Sequence, residues 1–299
     1  MALIAFISTG SLSFADPAGR LAGLGKVAKE QSDDFLVDDR KLKATFEKKL
    51  GDLKDNKKAR PAAEIQEELR SRKSHQCELE VEANQDALGR GEIYKHALES
   101  SLMFGNIYKC DKCSEWHGNI AGGFVLSSDG MAVTNYHVVE NAKAAAFGAM
   151  TSDGRMFPVK EVLAASKADD VAIVKLDGAE DLVPLPVSAD VLPGDEVTVV
   201  SHPKGLFYTL TEGVVSRQSV LQRPGGGRIP SLEITAAYAA GSSGSPVFDA
   251  KGNVVGLVKS TRSLYYNKDK SGAQQNLQMV IKFCVPASSI LKLIEPEKK

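Results

Sequence analysis

"GGFVLSSDGMAVTNYHVV", residues 122–139, sets two apolar runs on either side of Ser127-Ser128-Asp129-Gly130. A short polar turn ending in glycine, where a positive φ would be needed, joins such runs into a β-hairpin. The second run closes on Asn135-Tyr136-His137. That leaves an imidazole just past a strand end, where a ring can be held at the rim of a cleft.

The same grammar continues from about residue 99 in "SSLMFGNIY", "DVAIVKL", "DEVTVVSHPKG", "EGVVSR", "GNVVGLVKS" and "LQMVIKFCV". "DAKGN" before "VVGL" repeats the hairpin turn. Short strands at this spacing predict an all-β sandwich or barrel. The final "PASSILKLIE" reads as a terminal helix opened by Pro286.

The chain of 299 residues is 43% apolar and 25% charged with a net charge of −1, so it can bury a core and carries no global field that would select nucleic acid or a membrane surface. No later stretch reaches the roughly 18 uncharged apolar residues of a membrane span. The first 15 residues, "MALIAFISTGSLSFA", are uncharged and end with Ser13 and Ala15 at the small positions of a cleavage site. They read as a signal peptide that lacks its basic start, which places the protein in the periplasm or outside the cell.

Residues 16–100 hold 35 charged side chains in 85 positions, against 40 in the 199 that follow, so two regions of different character meet near residue 100. Leu42, Phe46, Leu50 and Leu53 recur at helical spacing, and Pro61 followed by Ile65 and Leu69 opens a second helix. We therefore divide the chain into a signal peptide (1–15), a charged helical extension (16–97) and a β-rich domain (98–294). The extension either packs on that domain or serves self-association.

"AAGSSGSPVFD", residues 239–249, places Ser243 between Gly241 and Gly244. Alone it is an ordinary small-residue turn. It can also expose a serine hydroxyl beside backbone amides, which acyl transfer needs together with a histidine and a carboxylate. His137 supplies the first and Asp170, just before the strand "VAIVKL", the second, with Asp169 beside it as an ordinary strand-entry carboxylate.

"TNYHVV", "DVAIVKL" and "AAGSSGSPV", in the order His, Asp, Ser, resemble the three catalytic blocks of trypsin-like serine peptidases, most of all the bacterial HtrA/Deg-like branch. The resemblance runs from about residue 98 to 294. It implies a mainly β fold, a double six-stranded barrel of the chymotrypsin type, with the helical extension before it and the helix after it. It implies catalytic His137, Asp170 and Ser243, an oxyanion hole from the amides of Gly241 and Ser243, and a serine endopeptidase acting on extended or unfolded protein segments. The order His, Asp, Ser also differs from that of α/β-hydrolases.

Ser242 stands where digestive peptidases carry the Asp that pairs with a newly cleaved N-terminus, which is similar to the HtrA-like branch. Ser245 and His202, by contrast, depart from the residues usual in the family and bear on loop geometry rather than on the reaction. Six positions before Ser243, where the family floors its specificity pocket, stand Ala237 and then Tyr238. With no carboxylate there, small or medium apolar side chains are expected at the cleaved bond. Val258, Lys259 and Ser260 are expected to pair with the substrate backbone. Only "EPEKK" follows residue 294, so the PDZ domains attached to many of that branch are not expected here. A non-catalytic protein-binding module on the same fold is the alternative.

Protein or peptide substrates are the partners expected, with no cofactor. "CDKCSEWH" sets Cys110, Cys113 and His117 at C-x2-C-x3-H spacing, which leaves open a disulfide loop, free thiols or a zinc site. No metal is assigned at this point.

Overall fold

A computed structural model describes residues 35–72, 79–110, 112–222 and 227–294. The chain divides into two units, Met1–Asp38 and Asp39–Lys299. Of the first, only residues 35–38 are described, so the signal-peptide reading lies outside the described residues. No helix of the described residues is long and apolar enough to cross a membrane.

The second unit is built on twelve strands and five helices among the described residues. Helices α1 (Asp39–Asp55), α2 (Ala62–Ser71) and α3 (Arg90–Ser100) precede β1 (Ser101–Lys109), β2 (Trp116–Val125) and β3 (Met131–Thr134). One-turn helix α4 (Tyr136–Val139) follows, then β4 (Ala146–Met150), β5 (Met156–Ser166) and β6 (Val171–Leu176). These six strands close in the order β1-β2-β3-β6-β5-β4. Strands β7 (Glu196–Ser201), β8 (Thr209–Gln222), β9 (Arg228–Ile234), β10 (Pro246–Phe248), β11 (Val254–Lys268) and β12 (Gln274–Pro286) close a second barrel in the order β10-β11-β12-β9-β8-β7, and α5 (Ala287–Ile294) ends the fold. The double six-stranded barrel is thus present, and Gly130 and Gly252 hold the positive φ that their hairpin turns require.

Strand β1 explains why "SSLMFGNIY" is apolar almost throughout. Its side chains alternate faces, and both faces are buried: Leu102 and Phe104 enter one core cluster, Met103 and Ile107 another. The second cluster also takes Phe46 and Leu50 of α1, Ile93 and Ala97 of α3, and Phe248 and Leu257 of the second barrel. The charged helices are therefore built into the fold, and α3 runs through the composition boundary at residues 97 and 98. Leu50 lies against Gly148 of β4, where an added Cβ would come within 2.9 Å of it. The apolar stripe of α1 is spent on the barrel.

His202, after β7, is 1% exposed and ties the two barrels together. Its Nδ1 accepts the Tyr208 amide at 3.1 Å. The opposite nitrogen, Nε2, then carries the proton and donates to the Leu102 carbonyl of β1 at 3.3 Å. Burial, the largest cause, pushes this imidazole down from 6.5 to about 4 and keeps it neutral.

Two outcomes are expected. Leu50→Ala costs about 2–5 kcal/mol in urea unfolding, whereas a detachable arm would leave the barrel's stability unchanged. For His202, the unfolded chain takes up a proton below 6.5 that the folded one refuses. Its contribution is complete above the unfolded pKa and fades as pH falls toward about 4, by about 3 kcal/mol in all. His202→Asn loses that slope from its own stability curve, so the slope appears in the difference between wild-type and variant unfolding free energies taken across this range.

Candidate active site

The first barrel delivers a histidine and an aspartate to one point. Asn135 ends the run after β3, and α4 turns the chain so that His137 emerges with its side chain 48% exposed. Its Nδ1–H lies 3.0 and 2.9 Å from the two carboxylate oxygens of Asp170, whose Oδ1 also accepts the His137 amide at 3.0 Å. Asp170 is buried and holds a left-handed φ of 65°, unusual for any residue but glycine. Asn135 stabilises that conformation by donating from Nδ2 to the Asp170 carbonyl at 2.9 Å.

The second barrel contributes the turn 239–245. Gly241 (φ 98°) and Gly244 (φ 85°) are both left-handed. A Cβ on Gly241 would fall 2.6 Å from the His202 carbonyl oxygen, and one on Gly244 would fall 2.1 Å from that of Gly122. Only glycine fits either place. The Gly122 amide of β2 donates to the Ser243 carbonyl at 2.7 Å, and Thr134 Oγ1 donates to the Gly122 carbonyl at 2.8 Å. The amides of Ser242, Gly244 and Ser245 find backbone acceptors, whereas among the described residues those of Gly241 and Ser243 have none. Two N–H groups on one turn, two residues apart and without acceptors, are the donors an oxyanion requires.

The Ser243 hydroxyl donates to the Lys259 carbonyl at 3.2 Å rather than to His137. The Lys259 ammonium lies 4.0 Å from Asp170 Oδ2. One residue of β11 thus touches both the serine and, through its charge, the histidine's partner.

A cavity of about 220 Å³ opens beside Ser243, lined among others by Tyr238, Val258, Lys259 and Ser260. The Tyr238 hydroxyl donates to the Phe283 carbonyl at 2.7 Å, which fixes the ring, and burial holds its proton on. Ala237 is not brought into this lining: it is exposed, and its carbonyl is taken by Thr211 Oγ1 at 2.6 Å. The wall is set one residue later than the sequence spacing places it.

Sequence reasoning missed Asn135, Thr134 and Gly122. Their hydrogen bonds orient the Asp170 and Ser243 backbones across β2 and β3, and nothing in their local sequence points to it. Cys110 and Cys113 in the β1–β2 connection and His117 at the start of β2 lie outside this site.

Residues 121–257 match the family model of the trypsin-like peptidase domain. The chain is 34% identical over 141 residues to "Protease Do-like 1, chloroplastic" of Arabidopsis thaliana, covering 45% of this chain and 31% of that protein. It is 33% identical over 174 residues to "Probable periplasmic serine endoprotease DegP-like" of Halomonas elongata, covering 56% and 35%. A protein of the same name in Hahella chejuensis is 33% identical over 168 residues, covering 56% and 33%. The chain spans about a third of the length of these relatives. With two closed barrels around it, the matched segment is a trypsin-like peptidase domain, and the chain that carries it is similar to DegP-like serine proteases.

Proposed function

We propose that the chain is a serine endopeptidase that hydrolyses peptide bonds through an acyl-enzyme on Ser243. The observation that carries this reading is the pair of amides at Gly241 and Ser243 without acceptors, on the same turn as the serine hydroxyl. A carbonyl oxygen that becomes negative on attack by Ser243 has two donors waiting for it.

The histidine geometry supports the same chemistry. With Nδ1–H committed to Asp170, the basic nitrogen of the neutral ring is Nε2, the one that accepts the serine proton in this reaction. The Asp170 carboxylate then stabilises the imidazolium, which returns its proton to the leaving amine. Water repeats the sequence on the ester. The Ser243 hydroxyl rests on the Lys259 carbonyl, so reaction begins with a rotation about χ1 that exchanges this acceptor for His137.

The substrate pairs with β11 near Val258 to Ser260. The Val258 amide and carbonyl are taken by Ser245 and Gly244, so the edge available to a substrate begins at Lys259, from which the strand pairs with β12 alone among the described strands. The cavity's small volume and the fixed Tyr238 ring favour a small or medium apolar side chain at the cleaved bond. The names of the Halomonas and Hahella relatives support a periplasmic or otherwise exported location.

The alternative is a binding module on the same fold, favoured by one observation, the serine hydroxyl turned onto a carbonyl. A fluorophosphonate separates the two, because only an activated serine reacts. Wild type is expected to be labelled at Ser243 and to cut casein, with Ser243→Ala about 10⁶-fold slower in turnover. Absence of labelling and cleavage in the wild type would sink the catalytic reading. Mass spectrometry of the casein products is expected to find Ala, Val or Leu on the acyl side of the cut bonds. Cuts after Lys or Arg would overturn the pocket assignment.

A further inference from the structure

The connection between β1 and β2 holds a constellation that peptide hydrolysis does not use. Cys110 follows the last residue of β1, Cys113 lies in the turn, and His117 is the second residue of β2, paired across the hairpin with Tyr108. The strand pairing folds the three back onto one another. Cys110 Sγ and Cys113 Sγ are 3.3 Å apart, and His117 Nε2 lies 3.3 Å from the first and 2.9 Å from the second. Both thiols are free.

We propose that Cys110, Cys113 and His117 bind one zinc ion, with two thiolates, one imidazole and an exposed fourth position open to water. The three donor atoms form a nearly equilateral triangle. Zinc with bonds of about 2.3 Å to sulfur and 2.0–2.1 Å to nitrogen spaces its donors about 3.5–3.8 Å apart on each face of the tetrahedron. The observed triangle reaches that size by a small outward turn of each side chain. A disulfide would need the two sulfurs at about 2.05 Å and gives no reason for an imidazole nitrogen to face both of them. Soft thiolates with imidazole select zinc over magnesium or calcium.

The surroundings indicate what such an ion would do. Trp116, next to His117, donates from Nε1 to Asp55 Oδ2 at the end of α1 at 3.1 Å. The Gly118 amide donates to Glu47 Oε1 of the same helix at 2.8 Å. An ion joining Cys110 and Cys113 to His117 closes the hairpin end beside the two residues that hold α1. Its role is a structural clamp, and bound zinc also keeps both thiols from oxidising.

The test uses the full chain, reduced and stripped with chelator, titrated with zinc against a chromophoric competitor and separately with cobalt. One equivalent of zinc is expected, with thiolate-to-cobalt charge-transfer absorption and a tetrahedral ligand-field spectrum. Zinc should raise the thermal midpoint of the wild type by a few degrees. Cys113→Ser and His117→Ala should each lose the cobalt spectrum and that rise, while fluorophosphonate labelling of Ser243 continues without metal, which separates this proposal from the catalytic one. Failure of the reduced wild type to take up zinc or cobalt overturns it. So does binding that survives both substitutions.

Discussion

The turn from Ala239 to Ser245 can exist only where two left-handed residues lie flush against other backbone. The His202 carbonyl of the second barrel closes over Gly241 and the Gly122 carbonyl of the first closes over Gly244. These two contacts, with the hydrogen bond from the Gly122 amide to the Ser243 carbonyl, mean that Ser243 is positioned by both barrels at once. A side chain at either glycine would push the barrels apart or flip the turn, and the two free amides would lose their direction.

The rest of the molecule holds that seam shut. Burial of both faces of β1 puts one strand in contact with two core clusters, one of which continues into the second barrel. His202 bonds from the second barrel to the Leu102 carbonyl in that strand. Helix α1 covers β4 through Leu50 and reaches the β1–β2 hairpin through Glu47 and Asp55. Charged helices that resemble a solvated arm by composition are, in the fold, an outer layer, α1 and α2 against the first barrel and α3 against β7 of the second.

Electrostatics around Asp170 are arranged by the same strands. Its carboxylate meets the His137 ring on one side and the Lys259 ammonium at 4.0 Å on the other. The histidine's partner therefore already has a cation near it before any imidazolium forms. Because Lys259 also accepts the Ser243 hydroxyl through its carbonyl, the resting arrangement of all three chemical groups passes through one residue of β11.

The sequence by itself determined the hairpins with Gly130 and Gly252, the β-rich character after residue 99 and the helical spacing of Phe46 and Leu50, and it supplied His137, Asp170 and Ser243 as the candidate residues of the proposed site. Each is a local matter: a turn needs a glycine, a buried face needs a period, and an active serine needs a short list of residue types. It did not show β4, β5 or β9. Pro158 and Pro230 interrupt the strand pattern, two bulges in β5 break its alternation, and β4 is made largely of small residues. Nor did it place Tyr238 rather than Ala237 at the cavity, or show Asn135 and Gly122 orienting the site. Those depend on which atoms of distant strands come within hydrogen-bonding reach, and only the closing of two barrels against each other decides that.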